Sequence, residues 1–198
     1  MCRRGRCRCA GACFLPAEPA LPPPSPRFVD LPTAAALAAV VPPFISIVGL
    51  FVNAEAAQVR ATLAALPIHL LQFHGDEDEA YCRQFERPYI KAARVRAGMD
   101  LIQYAAGFPS AQAILLDAFV EGYGGGGKVF DWSLVPDSLG KPLILSGGLD
   151  AGNVAAAVRR VRPAAVDVSS GVEANKGIKD GAKIRAFAAA LRATGRAV

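Results

Sequence analysis

From residue 44 onward, short apolar runs alternate with stretches whose apolar positions recur at helical spacing. Phe44–Phe51, Ile68–Phe73, Tyr89–Val95, Ala113–Ala118, Pro142–Ser146 and Ala164–Ser169 are apolar nearly throughout. That is the pattern of strands buried on both faces of a sheet. Between them, Glu55–Leu66, Glu79–Phe85, Met99–Phe108, Ala151–Val161 and Lys179–Arg192 read as amphipathic helices. The first opens after Asn53, a residue type that caps helix N-termini. Val29–Val41 is a further helix-like stretch. Strands alternating with helices predict βαβ units in a parallel sheet.

Six strands belong to an eight-stranded barrel only if two strands and a helix come before Pro22-Pro23-Pro24-Ser25-Pro26-Arg27. The 21 residues available are rich in Arg, Cys, Ala, Pro and Gly and have no periodicity. Two strands of roughly five residues and a helix of about eleven fill that length before any connection is counted. The expected fold is therefore an incomplete α/β barrel of the (β/α)8 TIM-barrel type. It lacks a normal first strand, first helix and second strand. Residues 1–21 are expected to be irregular or disordered, and residues 22–198 to form the barrel domain.

Composition narrows the class. The chain has 198 residues, 53% of them apolar, enough for one sizeable core. No apolar run approaches the roughly 18 residues of a membrane span, and prolines interrupt the opening segment too early for a signal peptide. The net charge of +5 is concentrated in Arg3, Arg4, Arg6 and Arg8, which leaves the remainder nearly neutral. A basic nucleic-acid face is thereby disfavoured. Cys2, Cys7, Cys9 and Cys13 lack paired C-x-x-C spacing, and His69 and His74 lie far away, so no metal site is expected. Cys82 falls in a helical pattern as a small packed side chain. The expectation is a cytoplasmic protein in a reducing compartment, with no membrane or nucleic-acid partner.

Chemistry in such a barrel sits at the carboxyl ends of strands. Two strands near the end of the chain finish in small-residue turns, Leu143-Ile144-Leu145-Ser146-Gly147-Gly148 and Val166-Asp167-Val168-Ser169-Ser170-Gly171. Glycine lets the main chain approach an anion, and the helix start that follows adds partial positive charge. Gly147, Gly148, Ser170 and Gly171 are the candidate phosphate cradle. Asp117 ends an apolar run, where a carboxylate is hydrogen-bonded or used; burial would raise its pKa toward that of a general acid. Gln72, His74 and Asp76 end another strand; His74 reads equally as a polar contact or as a packed histidine. Lys91, among apolar neighbours, points to a site or a carboxylate. Arg27, in a proline-flanked turn, is either a bidentate clamp or a surface arginine. Gly124–Gly127 followed by Lys128 could cover a substrate.

In order, Ser25-Pro26-Arg27, Gly49-Leu50-Phe51-Val52-Asn53, Leu70-Leu71-Gln72-Phe73-His74-Gly75-Asp76-Glu77, Leu115-Leu116-Asp117, Gly127-Lys128-Val129-Phe130-Asp131-Trp132, the two turns and Gly177-Ile178-Lys179-Asp180 run from about Pro22 to Arg192. That set resembles the phosphoribosylanthranilate isomerase family of tryptophan biosynthesis. The resemblance implies an Amadori rearrangement of N-(5-phosphoribosyl)anthranilate to the aminoketose 1-(2-carboxyphenylamino)-1-deoxyribulose 5-phosphate. An acid protonates the ring oxygen, and a base then removes the proton from C2. It implies Asp117 as the acid, Arg27 on the anthranilate carboxylate, and main-chain N–H groups around Gly147, Gly148, Ser170 and Gly171 on the phosphate. It implies a small phosphorylated substrate, no metal or organic cofactor, and a monomer or homodimer. Two departures stand out. The family's base is a cysteine in a Lys-x-Cys-Gly-Ile-Thr-like motif that residues 1–21 do not contain, and Gly126 stands where the family usually has threonine. The first leads to an expectation of impaired activity. The alternatives are another phosphate-binding barrel enzyme, such as a ribulose-phosphate epimerase or an indoleglycerol-phosphate synthase, and a non-catalytic barrel remnant that binds phosphate.

Overall fold

The computed structural model describes residues 12–14, 27–118 and 131–195. They fall into two compact units: residues 12–14, 27–92 and 108–112 in the N-terminal one, and residues 93–107, 113–118 and 131–195 in the C-terminal one. The Gly124–Gly127 run, Lys128 and Cys2, Cys7 and Cys9 lie outside the described residues.

The N-terminal unit is a succession of βα steps: β1 (Ala12–Phe14), α1 (Leu31–Ala39), β2 (Ile47–Phe51), α2 (Ala56–Ala65), β3 (Leu70–Phe73), α3 (Glu79–Arg83) and the first half of β4 (Tyr89–Val95). All the pairings are parallel. Ala12 lies opposite Ile47, Val48 opposite Leu70, and Phe73 opposite Lys91. Within residues 1–21, Ala12–Phe14 add a short strand to the edge of β2.

Strand β2 starts three residues later than its apolar run suggests. Ile45 donates its N–H to the Pro42 carbonyl across a turn, and Phe44 sits at φ 70, 99% exposed. The helix starts follow side-chain chemistry. Asp30 and Asp78 accept the N–H groups of Thr33 and Tyr81, each satisfying an orphan donor of a first turn. Asn53 does not cap α2, as its residue type suggested. Glu55 does, its N–H donating to Gln58 Oε1, while Asn53 takes φ 50 and turns its side chain elsewhere. The core gathers on Phe73, whose ring meets Tyr81 and Tyr89 edge-on and stacks on Phe85, with centroids 5.7–5.8 Å apart. Such pairs contribute about 0.5–1.5 kcal/mol each beyond burial, and they fix α3 against β3 and β4.

In the C-terminal unit come α4 (Leu101–Ala106), β5 (Ala113–Ala118), β6 (Leu143–Leu145), α5 (Val154–Val161), β7 (Ala165–Val166) and, last, α6 (Gly181–Arg192). Strands β5, β6 and β7 are parallel neighbours, with Leu116 opposite Leu145 and Leu145 opposite Val166. Leu145, Leu149, Val154, Ala157, Val158, Val172 and Phe187 form the buried cluster that seats α5 and α6. An antiparallel hairpin, β8 (Glu173–Asn175) with β9 (Ile178–Lys179), turns at Gly177 with φ 83. Lys179 therefore belongs to the hairpin and not to the helix predicted to begin there; Asp180 caps α6 by accepting from Ala182 and Lys183.

Candidate functional site

Strand β5 delivers Asp117. Residues 113–116 are buried and Asp117 is half-buried, its Oδ1 accepting the Ala118 N–H at 2.9 Å. Immediately beside it is the first small-residue turn. Gly147 and Gly148 have φ 81 and 63, a left-handed backbone that side chains rarely adopt. A Cβ on Gly147 would come within 2.6 Å of the Ala118 nitrogen and 3.0 Å of Asp117 Oδ1. The turn thus lies against the end of β5, and glycine is required there on two counts. Ser146 continues the ladder by donating its N–H to Leu116, and its Oγ donates to Asp167 Oδ2 at 3.0 Å. Asn153 holds the far side of the turn, its Nδ2 donating to the Gly148 carbonyl at 2.8 Å. Among the described residues none accepts the Gly147 or Gly148 N–H.

The second turn packs onto the first. A Cβ on Gly171 would overlap the Leu149 carbonyl oxygen and lie 3.1 Å from the Asp150 Cα. Ser170, Gly171 and Val172 form a single 3-10 turn there. Behind it, Lys179 Nζ donates to Ser169 O at 2.9 Å and pairs with Glu173 Oε1 at 2.9 Å, while Lys183 donates to the Glu173 carbonyl. Asp117, Gly147, Gly148, Ser170 and Gly171 are thereby brought into one contiguous region of the C-terminal unit. Main-chain amides at two adjacent turns, with a carboxylate next to the first, suit an oxyanion and a proton donor.

The N-terminal unit holds the other candidates. Gln72 and His74, both buried, project from the end of β3 with Nε2 and Nδ1 3.2 Å apart. Lys91, 1% exposed, donates to the Gly75 carbonyl at 2.7 Å and to Glu77 Oε2 at 2.9 Å. The carboxylate that a lysine inside an apolar strand called for is therefore Glu77. Glu77 also accepts the N–H groups of Asn53 at 2.7 Å and Gly75 at 2.9 Å. Asn53 in turn accepts the Asp76 N–H at 2.7 Å. Arg27 is half-buried, ahead of the Asp30 cap of α1. Among the described residues no three His, Cys, Asp or Glu side chains gather where they could hold a metal ion. Cys82 is fully buried, and burial pushes its thiol up to about 12.

Sequence reasoning assigned no role to Glu77, Asn153, Asp167, Glu173 or Lys179. Glu77 was hidden in the run Asp76-Glu77-Asp78-Glu79, which reads as a solvated face. The one signal that could have found it was the unpaired cation at Lys91.

Residues 15–190 match the sequence model of the family described as N-(5'phosphoribosyl)anthranilate (PRA) isomerase. The N-(5'-phosphoribosyl)anthranilate isomerase of Dechloromonas aromatica is 64% identical over 170 residues, covering 86% of this chain and 82% of the relative. The crystal structure of phosphoribosyl anthranilate isomerase from Thermotoga maritima is similar with a TM-score of 0.80 at 36% identity, over 92% of this chain and 87% of that one. A phosphoribosyl anthranilate isomerase in complex with reduced 1-(o-carboxyphenylamino)-1-deoxyribulose 5-phosphate is similar with a TM-score of 0.77 at 33% identity, over 92% and 86%. The fold class is thus an incomplete (β/α)8 barrel.

Proposed function

The chain belongs to the N-(5'-phosphoribosyl)anthranilate isomerase family, and from that premise we propose how its residues divide the work of an Amadori rearrangement in tryptophan biosynthesis. Asp117 is the general acid that protonates the furanose ring oxygen. The amides of Gly147, Gly148, Ser170 and Gly171 hold the phosphate, Arg27 holds the anthranilate carboxylate, and Gln72 and His74 are further substrate contacts. The observation that carries this division is the fit of the Gly147 turn against Asp117, which sets an anion cradle next to a carboxylate. The substrate is a small phosphorylated molecule, and the protein works as a monomer or homodimer in the cytoplasm. Among the described residues no helix is long and apolar enough to cross a membrane.

Residues 1–198 contain no Lys-x-Cys-Gly-Ile-Thr motif, and the base it supplies in the family must reach within about 3 Å of the C2 proton. Turnover of the aminoaldose phosphate by this polypeptide is therefore expected about 10²–10⁴-fold below that of an intact relative, the usual contribution of one acid–base group. Steady-state assay together with titration by the reduced product analogue tests this. Slow turnover with binding supports an impaired isomerase, turnover at an ordinary rate overturns the impairment, and failure to bind the analogue overturns the division of roles.

A further inference from the structure

We propose that Lys91 and Glu77 are a positioning pair, which sets the loop after β3 so that His74 can meet the substrate, without touching substrate themselves. The inference rests on the reading of His74 as a substrate contact. Its basis is the convergence of the ends of β2 and β3 with a side chain from within β4 on one buried ion pair in the N-terminal unit.

The side chains of Lys91 and Glu77 are 1% and 2% exposed. Glu77 Oε1 takes the N–H of Asn53, two residues past β2; Oε2 takes the N–H of Gly75, two residues past β3, and the ammonium of Lys91 on β4. Lys91 closes the circuit by donating to the Gly75 carbonyl. Both backbone polar groups of Gly75 are thus held by the same pair. The residue is also wedged: a Cβ there would overlap Asn53 Oδ1 and come within 2.8 Å of the Asn53 nitrogen. Next to it, His74 is tied by its own N–H to the Phe51 carbonyl at 2.9 Å. The loop therefore has one backbone path, and the direction of the His74 ring follows from it.

A pair kept only for stability would be a poor solution. Taking two charges out of water costs about as much as their attraction returns, and apolar replacements of similar volume often do as well. What an apolar pair cannot do is satisfy the N–H groups of Asn53 and Gly75 and the Gly75 carbonyl. The three backbone-directed bonds, more than the ion pair, are what the proposal assigns to these residues.

The test uses the full chain and two variants, the double substitution Lys91→Met/Glu77→Leu and the conservative Glu77→Gln, which keeps an acceptor for the loop amides. Amide hydrogen exchange is read at residues 73–77, with titration by the reduced product analogue and, separately, by inorganic phosphate. The double variant should exchange these amides faster and bind the analogue about tenfold more weakly, in line with a displaced contact. It should also melt below the parent, since the Asn53 and Gly75 amides and the Gly75 carbonyl lose their partners. Its affinity for inorganic phosphate, whose cradle is in the other unit, should not change. Glu77→Gln should recover part of both losses. Unchanged exchange and analogue affinity in a folded double variant would overturn the proposal; if that variant does not fold, Glu77→Gln decides by the same two readings. Parent protein that fails to bind the analogue refutes the functional reading instead, and the exchange data then judge the clamp alone.

Discussion

Each unit fastens a functional loop with a lysine–glutamate pair, and in each the lysine also donates to a main-chain carbonyl of that loop. Lys91 holds Gly75 and Glu77; Lys179 holds Ser169 and Glu173. The donor–acceptor distances of the two pairs are the same, 2.9 Å. The environments are not, because the Lys91 side chain is 1% exposed and the Lys179 side chain 43%. Equal geometry therefore carries unequal consequences. A pair broken on one side leaves the other charge where it stands. Glu77 and Glu173 are both buried, at 2% and 5%, so the two sites differ in the lysine, which is desolvated in the first and open to water in the second. The β3 loop is locked, and the Ser169–Gly171 turn is held on a softer latch.

The sharpest way to break the comparison is to remove the two lysines in turn. Lys91→Met should cost about 3–5 kcal/mol, since Glu77 stays buried without its cation. Lys179→Met should cost less than Lys91→Met but more than the roughly 1 kcal/mol of a fully exposed pair, because the lysine is 43% exposed while Glu173 stays buried without it. Urea unfolding of both variants at low and high salt gives the two values. Equal losses would show that exposure is not what separates the clamps.

The contrast also marks what could be read from the chain alone. Tyr89–Val95 and Ala113–Ala118 form strands over the residues their apolar runs indicated, because strands buried on both faces leave no ambiguity of period. Asp117 and the two glycine turns were legible for the same reason: each interrupts an apolar run where only chemistry or a turn explains it. The clamps were not legible. Glu77 stands among acidic neighbours, and nothing local tells a buried carboxylate from three solvated ones. Asn53 carries the signature of a cap but takes a left-handed conformation and bonds Asp76, a partner 23 residues on. The β8–β9 hairpin is too short and too polar to register as strands. For Glu77 and Asn53 the deciding partner lies 14 and 23 residues away, while periodicity and capping rules see only neighbours.

A second, smaller effect tests the softer side. Gly171→Ala would drive a methyl group into the Leu149 carbonyl, and backbone cannot yield as a flexible side chain can. An expected cost of about 1–3 kcal/mol, the range for forcing extra atoms into a packed site, should come with weakened inorganic phosphate binding, measured by calorimetry. Gly98→Ala is the control. Its φ is 78, a left-handed conformation that Gly171 does not have, and nothing lies within 4 Å of a Cβ, so any loss there reflects backbone strain and not a clash. Phosphate affinity unchanged in Gly171→Ala would detach the second turn from the anion cradle.

The smallest effects separate the two units by pH. In the N-terminal unit, burial pushes Tyr81 and Cys82 each up to about 12. A group whose folded pKa lies above its unfolded value contributes stability that is complete below the unfolded value and drains away as pH climbs toward the folded one. For the Cys82 thiol the decline begins near 9 and runs to about 12. In the C-terminal unit Asp180 behaves oppositely. Hydrogen bonds from the Lys183 and Ala182 backbone hold its carboxyl below 3.8, so its cap on α6 is intact above that pH and fails as pH falls through the lowered value. Fluorescence of Trp132, in the C-terminal unit, and thiol labelling of Cys82, in the N-terminal one, report the units separately. Tyr81→Phe, which keeps the Cys82 label, should weaken the alkaline arm and leave the acid arm unchanged, and Asp180→Asn should shift only the acid arm. If both variants moved the same arm, the assignment of opposite pH limits to the two units would be wrong.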